Sequence, residues 1–269
     1  MSNFLQRTIT AFFFAITLIV GVYYSGNSIS ILFFIISVLS LLEFFRLVGS
    51  TINKPIAGYG LLAGIVVYSL FALYNFRLIP SFCFYLVYPI IMGMFLVELF
   101  RRSETPFVNV GYTALGIIYA VLPYAVFMSM GFLKGSYTYQ IPLGFLLLLW
   151  SNDSFAYLFG RALGRTKLFE RISPKKTWEG FIGGMICTLL ISQGIAYYFS
   201  SLSSLNWLII AAIIVVFGTL GDLVESMLKR SLNVKDSGNL LPGHGGILDR
   251  FDGLLLAAPF VYVYLLVIS

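Results

Sequence analysis

Eleven carboxylates are spread over 269 residues, and three of them interrupt long apolar runs. Asp153 breaks the run from Phe145 to Phe159, while Asp222 and Glu225 break another that begins near Leu205. A carboxylate deep in a membrane helix costs roughly 2.5–3.5 kcal/mol on insertion scales, so it normally faces a polar cavity or a partner. Asp222, Glu225 or Ser226, and Lys229 follow at i, i+3 or i+4, and i+7, which puts them in a polar stripe on one helix face. Asp249 and Asp252 resume a spacing of three at the start of the last apolar run. Asp153, Asp222, Asp249 and Asp252 are therefore expected to meet at one cavity.

Carboxylates beside Lys and Arg, without a Cys or His cluster, suit a hard cation that bridges to phosphate oxygens. Magnesium takes one or two carboxylates together with waters and substrate phosphate, and a second metal ion of unassigned identity is compatible with so many acids. Zinc would want nitrogen or sulfur ligands, and the chain has one histidine, His244. That histidine has no Ser or Cys partner at a readable spacing, which argues against a nucleophilic triad. The stretch Asn239 to Gly246 holds Gly243, Gly245 and Gly246, a loop able to point backbone amides at an anion. Upstream, Ser173-Pro174-Lys175-Lys176-Thr177-Trp178-Glu179-Gly180 is expected to open a helix whose amino terminus offers free amides to phosphate. Trp178 reads as an interfacial anchor, and Gly180 with Gly184 as a close-packing pair. No Walker or dinucleotide fingerprint occurs.

The elements that must carry these groups are membrane helices. Hydrophobic residues make up 59% of the chain and charged residues only 10%, against about 25% charged in soluble proteins. Apolar runs of about 20 residues recur, each long enough to cross a bilayer. The fold expected is all-α, a polytopic transmembrane bundle of about nine spans: 8–24, 29–48, 58–74, 80–100, 107–131, 141–160, 178–199, 205–229 and 251–268. Nine crossings put 15 of the 17 basic residues on one side, with Arg77 and Lys134 opposite. The positive-inside rule then predicts a cytoplasmic amino terminus and a cytoplasm-facing cavity. The first run is read as a retained helix rather than a cleaved signal. Residues 1–140 are expected to be scaffold with lipid access, and residues 141–269 to carry the catalytic motifs. Glu43 and Arg46, three apart, predict a local ion pair, and Glu98 is expected to pair with Arg101 or Arg102. Cys83 and Cys187 carry no expected role.

Two stretches are more specific. Ser226-x-x-Lys229-Arg230-x4-Lys235-Asp236-x-Gly238-x2-Leu241-Pro242-x-His244-Gly245-Gly246-x2-Asp249-Arg250-x-Asp252 resembles the signature of the phosphatidate cytidylyltransferases, or CDP-diacylglycerol synthases. Asn152-Asp153-x-Phe155-Ala156-Tyr157, continuing to the Ser173–Gly180 segment, is similar to the same family. The resemblance implies a magnesium-dependent transfer of CMP from CTP to phosphatidic acid in the cytoplasmic membrane of a bacterium. CTP, phosphatidic acid and membrane lipids are then the expected partners, with no nucleic acid; a homodimer is compatible with the chain but nothing in it requires one. Asp222, Asp249 and Asp252 are the expected metal ligands, with Asp153 as a weaker metal or supporting candidate. Lys229, Arg230 and His244 join them as catalytic candidates. The expected substrate-binding residues are Asn152, Asp153, Lys175, Lys176, Thr177, Glu179, Ser226, Lys235, Asp236, Gly245, Gly246 and Arg250. A CTP-dependent lipid kinase and a secondary transporter are the competing readings. Against the second, the polar residues gather in one half and no internal repeat is visible.

Overall fold

A computed structural model describes residues 3–49, 54–234, 236–238 and 245–269, with side chains from Thr10 onward. Lys235 and His244, two of the expected site residues, lie outside the described residues. With no water in a bilayer core, each backbone N–H and C=O must bond within its own segment, so apolar runs of this length form helices. The described residues give α1 (Asn3–Tyr24), α2 (Gly26–Gly49), α3 (Ala57–Asn75), α4 (Val87–Arg101), α5 (Pro106–Ala120), α6 (Leu122–Ser129), α7 (Gln140–Leu163), α8 (Trp178–Tyr198), α9 (Ser204–Ser231) and α10 (Leu248–Ile268). Among the described residues, eight segments are long and apolar enough to cross a bilayer, α5 and α6 counting as one from Pro106 to Phe132. The ninth expected span is α1, whose described apolar stretch, Thr10–Tyr24, is shorter.

Two local features depart from the sequence expectation. The fifth span is broken at Val121 (φ −125°), between α5 and α6. Pro123 has no N–H to give the preceding turn, which accounts for a break at this point. The second departure is a two-stranded antiparallel hairpin joining α7 to α8, β1 (Lys167–Phe169) and β2 (Ser173–Thr177), with Lys167 opposite Thr177. Pro174 therefore sits in a strand of this two-stranded edge, where its missing N–H is tolerated, and does not open a helix. Thr177 performs the capping instead, its hydroxyl accepting from the Gly180 N–H at 3.2 Å.

Packing divides the bundle into two clusters. On the carboxyl-terminal side, α8 lies against α7 and α9, and α9 against α10. Glycines set these approaches. A Cβ at Gly180 would come 2.7 Å from the Ala156 carbonyl oxygen, and one at Gly184 3.1 Å from the Ala156 methyl, so this pair does bring α8 close to α7. Gly221 plays the same part between α9 and α10, where a Cβ would stand 3.1 Å from Gly253 Cα. Both sides of that contact are backbone and cannot rotate away. Gly221→Ala is accordingly expected to destabilise the protein by about 1–3 kcal/mol, read as a lower unfolding midpoint in detergent; an unchanged midpoint would mean the helices separate freely.

The amino-terminal cluster is built from α2, α3, α5 and α6. Buried polar groups pair across it: Ser40 Oγ lies 2.9 Å from Tyr124 Oη. Buried Glu98 takes Arg101 at 2.8 Å, as expected, and also Asn109 Nδ2 at 2.8 Å. Glu43 does not follow the expectation. It is only 2% exposed and turns inward to residues of the loop before α10, whereas Arg46 is exposed. A spacing of three permits a pair, but an unbonded backbone N–H inside the protein is a stronger claim on a buried carboxylate than a solvated guanidinium.

Candidate active site

The expected polar stripe of α9 divides between two neighbours. Asp222 Oδ2 takes the Lys176 ammonium from β2 at 2.7 Å, and Lys176 also reaches the Thr219 carbonyl at 3.3 Å. Ser226 supports Asp222 from one turn on, its hydroxyl donating to Oδ1 at 3.3 Å. A few residues away the stripe turns to α10. There Lys229 Nζ stands 2.6 Å from Glu225 Oε2 and 2.6 Å from Asp249 Oδ1. The other Asp249 oxygen, Oδ2, receives the Gly246 N–H at 2.9 Å, the Ser237 N–H at 3.0 Å and the Ser237 hydroxyl at 2.9 Å. Asp249 thus has donors on both oxygens and works as a tie between α9, α10 and the loop joining them.

Asp222 and Asp153 form the common wall of two cavities. The first, about 400 Å³, lies between α7, β2, α8 and α9. Asn152, Arg161, Lys175, Lys176 and Thr177 bring polar groups to it, with Tyr157 and Phe181 as aromatic walls. The second, about 350 Å³, holds Asp153, Asp222, Asp249, Asp252 and Arg250, with Trp150. Its remaining wall is a face of α1, namely Thr10, Ala11, Phe14 and Ala15. One chamber is rich in cations and the other in carboxylates, and an apolar helix closes the second. Asn152 adds an acceptor that is 1% exposed and whose Oδ1 has no hydrogen-bond partner among the described residues. This oxygen faces the glycine surface of α8, where a Cβ at Gly184 would stand 3.1 Å from it.

Of the expected site residues, these cavities gather Asn152, Asp153, Lys175, Lys176, Thr177, Asp222, Asp249, Arg250 and Asp252. Lys229, Ser226 and Gly246 stand behind that wall in the contacts just given. Gly245 sits beside them with φ +82°, a conformation that suits glycine. Arg230 and Asp236 are exposed and line neither cavity. Glu179 holds the turn between α7 and β1, accepting the Arg165 and Thr166 N–H groups at 3.1 and 3.0 Å. Residues that sequence reasoning did not single out include Thr219, Ser237 and the α1 wall; Tyr157 entered only as part of the family-like stretch, with no role. A stray hydroxyl or apolar face carries no signal of its own, but Glu43 did: it is a carboxylate inside an apolar helix.

Among the described residues, no three His, Cys, Asp or Glu side chains are grouped so as to hold a metal ion by themselves. The arrangement can instead seat a polyanion among Lys175, Lys176 and Arg161 next to Asp153 and Asp222, with a second ligand approaching from the α1 side.

Comparison with known proteins gives this geometry a family. The chain is 42% identical over 171 residues to the phosphatidate cytidylyltransferase of Bacillus subtilis (strain 168), which covers 62% of each chain. It is 38% identical over 167 residues to that of Staphylococcus haemolyticus, covering 61% of this chain and 62% of the relative. With that of Staphylococcus saprophyticus it shares 49% identity over 122 residues, 45% of this chain and 46% of the relative. The matched stretch thus spans less than two thirds of the length of these curated relatives. A family model described as the cytidylyltransferase family matches residues 5–268, nearly end to end, and the chain belongs to that family.

Proposed function

We propose that this membrane protein transfers the CMP unit of CTP to the phosphate of phosphatidic acid, releasing pyrophosphate and leaving CDP-diacylglycerol in the bilayer. Membership of the cytidylyltransferase family and the printed names of the relatives support the reading. The observation that carries it is the pair of cavities meeting at Asp153 and Asp222, one cationic and one closed by an apolar helix. Two substrates that differ in this way, a soluble triphosphate and a lipid phosphate, require such a junction.

The nucleophile is an oxygen of the lipid phosphate. It forms a bond to the α-phosphorus of CTP while the bond from that phosphorus to the β-phosphate bridging oxygen breaks. The attacking oxygen is already anionic, so no strong base has to remove a proton. What remains for the protein is positioning and charge neutralisation. Lys175, Lys176 and Arg161 hold the triphosphate in the first chamber, which Asn152 also lines. Arg250 receives the lipid phosphate beside α1. Magnesium fits the donor set, because Asp222, Asp252 and Asp153 offer carboxylate oxygens to one space and this ion takes few carboxylates along with water and phosphate. Bound there, it would neutralise phosphate charge and stabilise departing pyrophosphate. Asp249, with donors on both oxygens, enters the proposal as the anchor of Lys229. The bias of basic residues supports a cytoplasmic amino terminus and chambers open to the cytoplasm, in the inner membrane of a bacterium.

The decisive assay uses purified protein, phosphatidic acid, magnesium and CTP labelled at the α-phosphate. Label should move into the lipid fraction with one pyrophosphate released per lipid labelled, and chelation should stop it. Release of CDP with unlabelled lipid product would replace this reading with a lipid kinase.

A further inference from the structure

We infer that Glu43, on α2 in the amino-terminal cluster, is a positioning residue for the catalytic half, clipping two points between α9 and α10, Ser237 and Ile247, onto one buried carboxylate. The inference rests on the reaction proposed above only for its kinetic readout. Glu43 Oε2 accepts the Ile247 N–H at 2.7 Å, and Oε1 is hydrogen-bonded to the Ser237 hydroxyl. Ser237 stands near the start of the loop, and Ile247 is the last residue before α10. One side chain therefore joins residues ten positions apart.

Close packing around the carboxylate leaves it no alternative position. A Cβ at Gly238 would meet Glu43 Cδ at 3.0 Å, and one at Gly246 would overlap Glu43 Oε1 and the Ser237 hydroxyl. Both glycines flank the carboxylate, so its seat is built from the loop itself. The contact then continues into the site. The same Ser237 hydroxyl lies 2.9 Å from Asp249 Oδ2, and Asp249 holds Lys229, which holds Glu225. Asp249 in turn contributes to the carboxylate-lined cavity. An unbroken series of polar contacts thus runs from α2 to Asp249 in the lining of the carboxylate-rich cavity. Removing Glu43 frees the Ile247 amide and one partner of Ser237, and lets Asp249 shift relative to Asp222. Glu43 touches neither cavity, so its action is through position alone.

Hydrogen–deuterium exchange of the full-length protein in detergent, with the labelled-CTP assay in parallel, tests this. In Glu43→Ala, peptides covering Ser237 and Gly246–Ile247 should lose protection while α2, α7 and α8 keep theirs. The kcat should fall roughly 10- to 100-fold, as expected for a lost hydrogen bond to a charged group, with a much smaller change in KM for CTP. Glu43→Gln retains an acceptor for the Ile247 N–H and should recover part of both losses. Arg46→Ala, one turn away and exposed, should leave both unchanged. Unaltered protection at Ser237 and Ile247 in Glu43→Ala would overturn the inference. So would loss of protection in every helix of both Glu43 variants, which would mark Glu43 as a general packing residue. If wild-type protein labels no lipid, the reaction proposed above fails, and the exchange data alone still decide the role of Glu43.

Discussion

Asp222→Asn lowers the rate of CMP transfer by at least ~10³-fold and changes folding stability by no more than about 1 kcal/mol. The two halves of this result follow from one position. The Asp222 side chain is 39% exposed and that of Lys176, its ion partner, 24%. Pairs this accessible are screened and contribute little to folding. Asparagine keeps the shape, and its carbonyl oxygen can still accept from Lys176 or Ser226. What it removes is the negative charge at the junction of both cavities, the place where two polyanions must be brought together and where magnesium is proposed to bind. The measurement is an initial rate at saturating magnesium and CTP beside a thermal melt of the same preparation. Substantial residual turnover in a folded sample would remove Asp222 from the metal assignment.

Lys229→Met has the opposite profile, destabilising the protein by about 3–5 kcal/mol. Lys229 is 15% exposed and lies between Glu225 and Asp249, whose side chains are 2% and 9% exposed. Two buried carboxylates share one ammonium, and Glu225 Oε1 has no partner among the described residues. Without that cation the two acids face each other in a poorly solvated space. Breaking a buried charge network costs far more than the network contributes relative to an apolar replacement. Lys229→Met should therefore melt well below the wild type, with a smaller monodisperse fraction. The double variant Lys229→Met/Glu225→Gln should regain much of the lost stability because it removes one of the stranded charges. Identical melting of the single variant and the wild type would show that water reaches the pair freely and that the network is not a structural tie.

Most of the helices were legible because apolar runs end sharply at polar breaks: α8 was expected over 178–199 and occupies Trp178–Tyr198, and α10 was expected over 251–268 and occupies Leu248–Ile268. The close approach of α8 to α7 was legible too, since Gly180 and Gly184 can serve little other purpose in an apolar helix. The hairpin was not. Its strands have three and five residues and several charges, so no period-2 apolar pattern existed to read. Within the candidate site, depth singled out Asp153 and Asp222 from the sequence, because an acid in an apolar run needs an explanation. Their partners were invisible for a different reason. Glu43 is 194 residues from Ser237 and 204 from Ile247, and contacts of that range are fixed by packing rather than by local spacing. The nearby Arg46 offered a shorter-range explanation that burial overrules.

The placement of polar groups along α7 bears on how the protein is made. Among the eight long segments α7 is the least apolar, because Gln140, Ser151, Asn152, Asp153 and Arg161 lie along it. α9 bears Asp222, Glu225, Lys229 and Arg230, but its first turns, from Ser204 to Gly221, are almost wholly apolar. As the chain leaves the ribosome, α9 can enter lipid on the strength of that leading stretch. For α7, entry alone would leave its acid and amide facing hydrocarbon. The glycine face of α8, emerging next, offers it a close-fitting partner, so α7 and α8 are expected to leave the translocon together, as a hairpin joined by β1 and β2. A fragment of α7 alone, Gln140–Leu163, made without the earlier spans, should then remain extractable by alkaline carbonate, and one running from Gln140 through Tyr198 should not.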